Sequence, residues 1–161
     1  MNEHPKISII MPSLNVIDYI SQCIDSVLNQ TLNDIEILCI DAGSTDGTLE
    51  IIKDYSSKDS RIKLIKSDEK SYGYQMNLAM NIAKGEYIGI VETDDYIKED
   101  MYESLYNLSD EGNVDIVKST FWHVYDYDPI DIKLKVNKGK KNLPPETKSF
   151  TVFENANILD A

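Results

Sequence analysis

Four short apolar runs alternate with stretches of helical period along the first 110 residues, and no other feature restricts the fold as strongly. Residues 7–11 carry Ile7, Ile9, Ile10 and Met11 between Pro5 and Pro12, a strand suited to burial on both faces. From Asp18 onward, Ile20, Cys23, Ile24, Val27 and Leu28 fall at i, i+3, i+4, i+7 and i+8, one face of a helix. The strand at 35–40 leads to a helix on which Leu49, Ile52 and Tyr55 share a face, with Asp46 or Ser44 as its cap. Ile62, Leu64 and Ile65 make a third strand. Met76, Ala79, Met80 and Ala83 then repeat at helical spacing, with Gly85 as the terminator that helix ends favour. Residues 84–95 enter a fourth strand through that glycine and leave it in acid. Met101, Leu105 and Leu108 mark a short helix, and 114–117 reads as a fifth strand. Such alternation predicts an α/β domain with a mainly parallel central sheet and helices on both faces.

In a sheet of this kind the ligand site lies beyond the carboxyl ends of the strands. Those ends carry 12–15, 41–47 and 92–95, three polar turns converging on one edge, which is more than a core-only domain requires. The last turn packs Glu92, Asp94 and Asp95 into four positions. Carboxylates so close repel one another unless a cation or hydrogen-bond donors compensate them, and hard oxygen ligands suit Mg²⁺ or Mn²⁺. The alternative is that Asp94 and Asp95 cap a helix beginning near Glu99.

Charge excludes one class of partner. Residues 1–131 hold 10 Lys and Arg against 25 Asp and Glu, and this acidic body argues against nucleic acid. Residues 132–148 hold six lysines and only Glu146, either a solvated loop or a contact to an anionic lipid surface or substrate. A length of 161 residues suits one domain with a sizeable core. No apolar run reaches the roughly 20 residues that cross a bilayer, and the first five residues lack a signal peptide's apolar core, so a cytoplasmic location is expected. Cys23 and Cys39 lie inside apolar patterns without metal-ligand spacing and are expected as buried, reduced thiols. His123, between Trp122 and Val124, is expected to be structural, and 153–159 hints at a last helix.

The segments Ile9-Ile10-Met11-Pro12-Ser13-Leu14-Asn15, Gln30-Thr31, Asp41-Ala42-Gly43-Ser44-Thr45-Asp46-Gly47-Thr48, Asn77, Gly85-Glu86-Tyr87-Ile88 and Glu92-Thr93-Asp94-Asp95 together resemble the nucleotide-binding half of a family 2 glycosyltransferase. They stand in that family's order and approximate spacing from residue 6 to about 120. The resemblance implies a Rossmann-like GT-A fold, a nucleotide-diphosphate-sugar donor with a UDP-sugar first, inverting transfer to a saccharide or lipid-linked acceptor hydroxyl, and a place in bacterial-type cell-surface polysaccharide synthesis. It implies a divalent metal, Mg²⁺ or Mn²⁺, held by a DXD-like motif. Asp95 is then the first metal ligand, Asp94 a second ligand or a ribose contact, and Glu92 a further ligand. Asp41 would accept from the base, Pro12 and Ser13 would shape the pocket floor, and Asn15, Gln75 and Asn77 would border it, Asn15 alternatively stabilising only its own turn. Tyr72 and Lys70 are further donor-side candidates.

Two departures from that family's pattern stand out: Ala42 where many relatives have a second Asp, and Met76 where an Arg often precedes the Asn. A sugar nucleotidyltransferase or a nicotinamide-dependent enzyme would need a glycine-rich loop after the first strand, and 12–16 contains no glycine. The remaining rival is a non-catalytic nucleotide-sugar-binding module. Residues 1–120 are expected to form the nucleotide-sugar-binding core and 121–161 an incomplete start of the acceptor side, with the general base beyond this chain and a site of action at the inner face of the membrane.

Overall fold

A computed structural model describes residues 4–109 and 114–119. The strands are β1 (Ile7–Ser13), β2 (Ile35–Asp41), β3 (Ile62–Lys66) and β4 (Tyr87–Ile90), and the helices α1 (Ile20–Leu28), α2 (Thr48–Lys58), α3 (Tyr72–Ile82) and α4 (Met101–Leu108). All pairings are parallel, in the order β3-β2-β1-β4. The chain therefore steps outward from β1 to β3 and then returns across the sheet to place β4 on the far side of β1. Right-handed crossovers put α1 and α2 on one face and α3 on the other. Every residue of β1 and β2 is buried, as strands covered on both sides must be.

Strand alternation divides the core in two. Ile10, Leu38 and Ile40 pack with Met76 and Ala79 of α3. Ile9, Met11, Ile37 and Cys39 point the other way, and the buried residues Ile20, Cys23, Ile24, Val27 and Ile52 line the helices on that side. Cys23 and Cys39 are both free and buried, as the pattern predicts. Met80, expected on the buried face of α3, is 45% exposed. The helix turns Gln75 inward instead, because that side chain has a bond to make at the end of β1.

Gly85 does not terminate α3. The helix closes at Ala83, and the glycines with positive φ among the described residues are Gly43 and Gly47. Close approach is what requires Gly85: a Cβ there would lie 2.3 Å from the Ser8 nitrogen, and its own N–H donates to Ser8 Oγ at 2.7 Å. Beside it the buried Glu36 carboxylate accepts from Ser8 Oγ, the Lys84 N–H and Lys63 Nζ. Burial alone would raise its pKa, but these three bonds outweigh burial and hold it below the ordinary carboxylate value.

The fifth strand expected at 114–117 is not formed. The Val114 N–H donates to the Ser109 carbonyl at 3.2 Å, so the segment opens with a turn against the end of α4 and forms no ladder. The chain divides into two compact units, Met1–Glu103 and Ser104–Ala161, with the boundary inside α4. The expectations for His123, the lysine-rich segment and 153–159 lie outside the described residues. Among the described residues no helix is long and apolar enough to cross a membrane.

Candidate functional site

The strand order reverses direction between β1 and β4, and in an open parallel sheet such a switch point is where ligands bind, beyond the carboxyl ends of the strands. Register brings the turns together there, for Ser13 pairs with Asp41, Asp41 with Lys66, and Ile10 with Ile90. All of the site residues named below lie in the unit of residues 1–103.

The turns after β1 and β2 are stitched to each other. Asn15 adopts φ 54°, the left-handed region an Asn tolerates, and its N–H donates to Ser44 Oγ at 3.0 Å while its Oδ1 accepts the Thr45 N–H at 2.9 Å. Its side chain therefore builds the turn, one of the two roles its sequence position allowed. Asp46 accepts the N–H groups of Thr48 and Ile17, each at 3.0 Å. The residue before α2 is Gly47, at φ 109°, and Ser44 is committed to Asn15, so neither predicted cap occupies the cap position itself. A side chain on Gly47 would also meet Ile17 Cδ1 at 2.8 Å.

Asp41 is 1% exposed at the end of β2. Its Oδ2 accepts the N–H groups of Gly43 (2.9 Å) and Ser44 (3.1 Å), whereas Oδ1 is buried without a hydrogen-bond partner among the described residues. A buried acceptor in that condition is unfavourable until a donor reaches it, which marks a binding position. Pro12 and Ser13 are buried beside it. The Ser13 N–H donates to Gln75 Oε1 (3.1 Å), and the Pro12 carbonyl accepts from Thr93 Oγ1 (2.7 Å). Gln75 and Thr93 thus act on the pocket floor through its backbone. Asn77, two residues further along α3, is exposed.

The segment between the acidic turn and α4 is held by the α1–β2 connection. Gln30 Nε2 donates to the Lys98 carbonyl at 2.6 Å, Gln30 Oε1 accepts the Tyr102 N–H at 3.0 Å, and the Thr31 N–H donates to the Glu99 carbonyl at 2.8 Å. Asp94 and Asp95 are exposed, and α4 begins only at Met101, so neither caps that helix. Glu92 is half-buried, and its Oε1 accepts from the Tyr72 hydroxyl at 2.6 Å. That bond, with a smaller contribution from burial, pushes the Tyr72 phenol up to about 12. Burial, then Cys39, then Asp95, Asp94 and Glu92 push the Cys23 thiol up to about 12.

Among the described residues, no three His, Cys, Asp or Glu side chains converge as a ready-made metal cage. Two adjacent exposed carboxylates still suit Mg²⁺ or Mn²⁺, since such ions are commonly bound by one or two protein carboxylates with substrate phosphates and water completing the shell. Sequence reasoning did not assign roles to Thr93, Gln30 and Ser8. Their signal was only a polar residue within or beside an apolar run, which says that a partner is needed without saying which.

The family model for glycosyl transferase family 2 matches residues 8–157. EpsJ of Bacillus subtilis strain 168, an uncharacterized glycosyltransferase, is 39% identical over 118 residues, 73% of this chain and 34% of the relative. The poly(ribitol-phosphate) beta-glucosyltransferase of Bacillus spizizenii is 44% identical over 115 residues, 69% of this chain and 18% of that protein. Among solved structures, S. aureus TarS 1–349 superposes with a TM-score of 0.62 at 29% identity, over 67% of this chain and 33% of its own, and has also been solved with UDP and with UDP-GlcNAc. The chain spans about a third, or less, of the length of these relatives.

Proposed function

Because the chain belongs to glycosyltransferase family 2 and carries the GT-A fold, we propose that residues 1–103 hold the nucleoside diphosphate of a sugar donor, a UDP-sugar first, for inverting transfer to an acceptor hydroxyl. The observation that carries the reading is Asp41 Oδ1, a buried carboxylate oxygen without a donor among the described residues. The imide N–H of a uracil ring is a donor of the required kind, and the turns around Asp41 are already locked by Asn15, Ser44 and Asp46. That TarS has been solved in complex with UDP-GlcNAc supports the same donor class here.

Asp95, with Asp94 beside it, would hold Mg²⁺ or Mn²⁺, which as a Lewis acid stabilises the negative charge gathering on the departing diphosphate. In the transfer, an acceptor oxygen bonds to the anomeric carbon as the carbon–oxygen bond to phosphate breaks. The acceptor's proton passes to a general base that we place outside residues 1–103. Pro12 and Ser13 shape the floor, and Gln75 and Thr93 keep that floor in place. We further read 1–120 as the nucleotide-sugar-binding core and 121–161 as the start of an acceptor side. The acceptor is a saccharide or a lipid-linked acceptor met at the cytoplasmic face of the membrane; a relative named as a poly(ribitol-phosphate) beta-glucosyltransferase supports a polymeric acceptor.

Calorimetry with UDP, GDP and the deoxythymidine diphosphate, each with Mn²⁺ and again with chelator, tests the reading. UDP should bind and the metal should strengthen it. Absent heats for every nucleotide, or heats indifferent to both base and metal, would overturn it.

A further inference from the structure

Resting on the nucleotide-binding reading, we propose that Tyr72 and Glu92 form a tether holding the β3–α3 connection across the mouth of the site, with Glu92 acting as Tyr72's anchor and the metal left to Asp94 and Asp95. Residues 67–75 reach the end of each of the other three strands. The Ser67 N–H donates to the Asp41 carbonyl at 2.8 Å, Gln75 Oε1 accepts the Ser13 N–H at 3.1 Å, and the Tyr72 hydroxyl donates to Glu92 Oε1 at 2.6 Å. Between these anchors the stem of Lys70 lies over the β2 turn, its Cε 4.0 Å from where a Gly43 Cβ would stand. One short connection thus faces Asp41 on one side and the acidic turn on the other.

The connection is stiffened from within. Ser67 Oγ donates to the Glu69 carbonyl at 2.7 Å, and Ser71 Oγ accepts the Tyr74 N–H at the start of α3. Glu92 is equally fixed, since its carbonyl accepts from the Asp95 N–H at 3.0 Å and from Cys23 Sγ at 3.4 Å. Tyr72 is 52% exposed, so little apolar packing holds it and the hydroxyl bond is its main restraint among the contacts described. Without that bond the segment bearing Lys70 loses its only attachment to the β4 side among the contacts described, and a cation beside the diphosphate loses its position. Tyr72 is accordingly a positioning residue that acts through Glu92.

The test compares Tyr72→Phe, Glu92→Ala, Glu92→Gln, Asp95→Asn and the Tyr72→Phe/Glu92→Ala double variant in the full chain. UDP binding is titrated by calorimetry at graded Mn²⁺, and amide exchange of 67–75 is followed without ligand. An anchor role predicts that Tyr72→Phe and Glu92→Ala each weaken UDP about threefold to tenfold, that the double variant is no worse than either, and that both speed exchange of 67–75. Glu92→Gln, which keeps an acceptor oxygen, should leave the Mn²⁺ requirement at its wild-type value, whereas Asp95→Asn should raise it at least about tenfold. A Mn²⁺ requirement raised in Glu92→Gln as in Asp95→Asn, or unchanged exchange in Tyr72→Phe, would overturn the tether. Failure of the wild-type chain to bind any nucleotide would instead remove the proposed function, and the ligand-free exchange would still decide the tether.

Discussion

Replacing Asp41 by Asn probes the base contact at the buried side-chain oxygen that, among the described residues, is left without a hydrogen-bond partner. The residue is 1% exposed, so no screening by solvent discounts the effect. In the free protein an Asn oxygen can keep both bonds to the Gly43 and Ser44 N–H groups. Those bonds become neutral rather than charge-assisted, while the burden of burying a charge disappears, and the two changes oppose each other. The melting temperature should therefore move by no more than a few degrees. Binding behaves differently, because the Asn NH₂ now occupies the place of Oδ1 and confronts the uracil N–H donor against donor. Losing a bond to a charged acceptor removes about 1.5–3 kcal/mol, and the clash of two donors adds about 1–3 kcal/mol. Even the low end, about 2.5 kcal/mol, weakens UDP about 60-fold. Cytosine offers an acceptor at the same ring nitrogen, so the preference for UDP over CDP should fall at least about tenfold. Calorimetry of both nucleotides on both proteins measures this. A loss of UDP affinity below about threefold with no change in preference, or a collapse of stability, would show that Asp41 only builds its turn.

Asp95→Asn should abolish most of the metal enhancement of nucleotide binding while the metal-free melting temperature holds or rises, because it relieves crowding with Asp94 and Glu92; a large loss of metal-free stability would contradict this. Gly85→Ala places a Cβ 2.3 Å from the Ser8 nitrogen and 2.7 Å from the Ile7 carbonyl carbon, both backbone atoms that cannot swing aside. We expect a loss of about 3 kcal/mol, the upper end for overpacking, read in urea denaturation; a variant as stable as wild type would refute the close approach. The depressed Glu36 pKa contributes stability that is present above the ordinary carboxylate value and is lost as pH falls through the folded value. Glu36→Gln should accordingly flatten the decline in unfolding free energy as pH falls from the ordinary carboxylate value through the lower folded one, and parallel curves would remove Glu36 as its source. With both thiols pushed up to about 12 and buried, native Cys23 and Cys39 should resist alkylation at pH 8 and react only after denaturation, as mass spectrometry would show.

The order of strands and helices was legible because each run had to find burial at its own period. Ile20, Cys23, Ile24 and Val27 make a helix face whatever they pack against, and Ile35 to Ile40 cannot be exposed on either side. The placement of the polar turns followed from topology, since every parallel strand delivers its last residues to the same edge. What the local sequence could not contain is the partner of each polar group. Gly85 reads as a helix terminator by type, yet Ser8, 77 positions away, is the reason for it. Met80 fits the apolar repeat of α3 as well as its neighbours do, yet the helix rotates Gln75 inward to meet Ser13. Residues 114–117 have strand-like composition, but a strand exists only where a neighbour offers its ladder, and the first amide there turns back to Ser109. In the same way the sequence lists Asp41, Glu92, Asp94 and Asp95 as equivalent carboxylates. Only the packed chain distinguishes them, burying one oxygen of Asp41 without a donor, giving Glu92 to Tyr72, and leaving Asp94 and Asp95 exposed at the strand end, because hydrogen bonding and burial are properties of the neighbourhood and not of the residue.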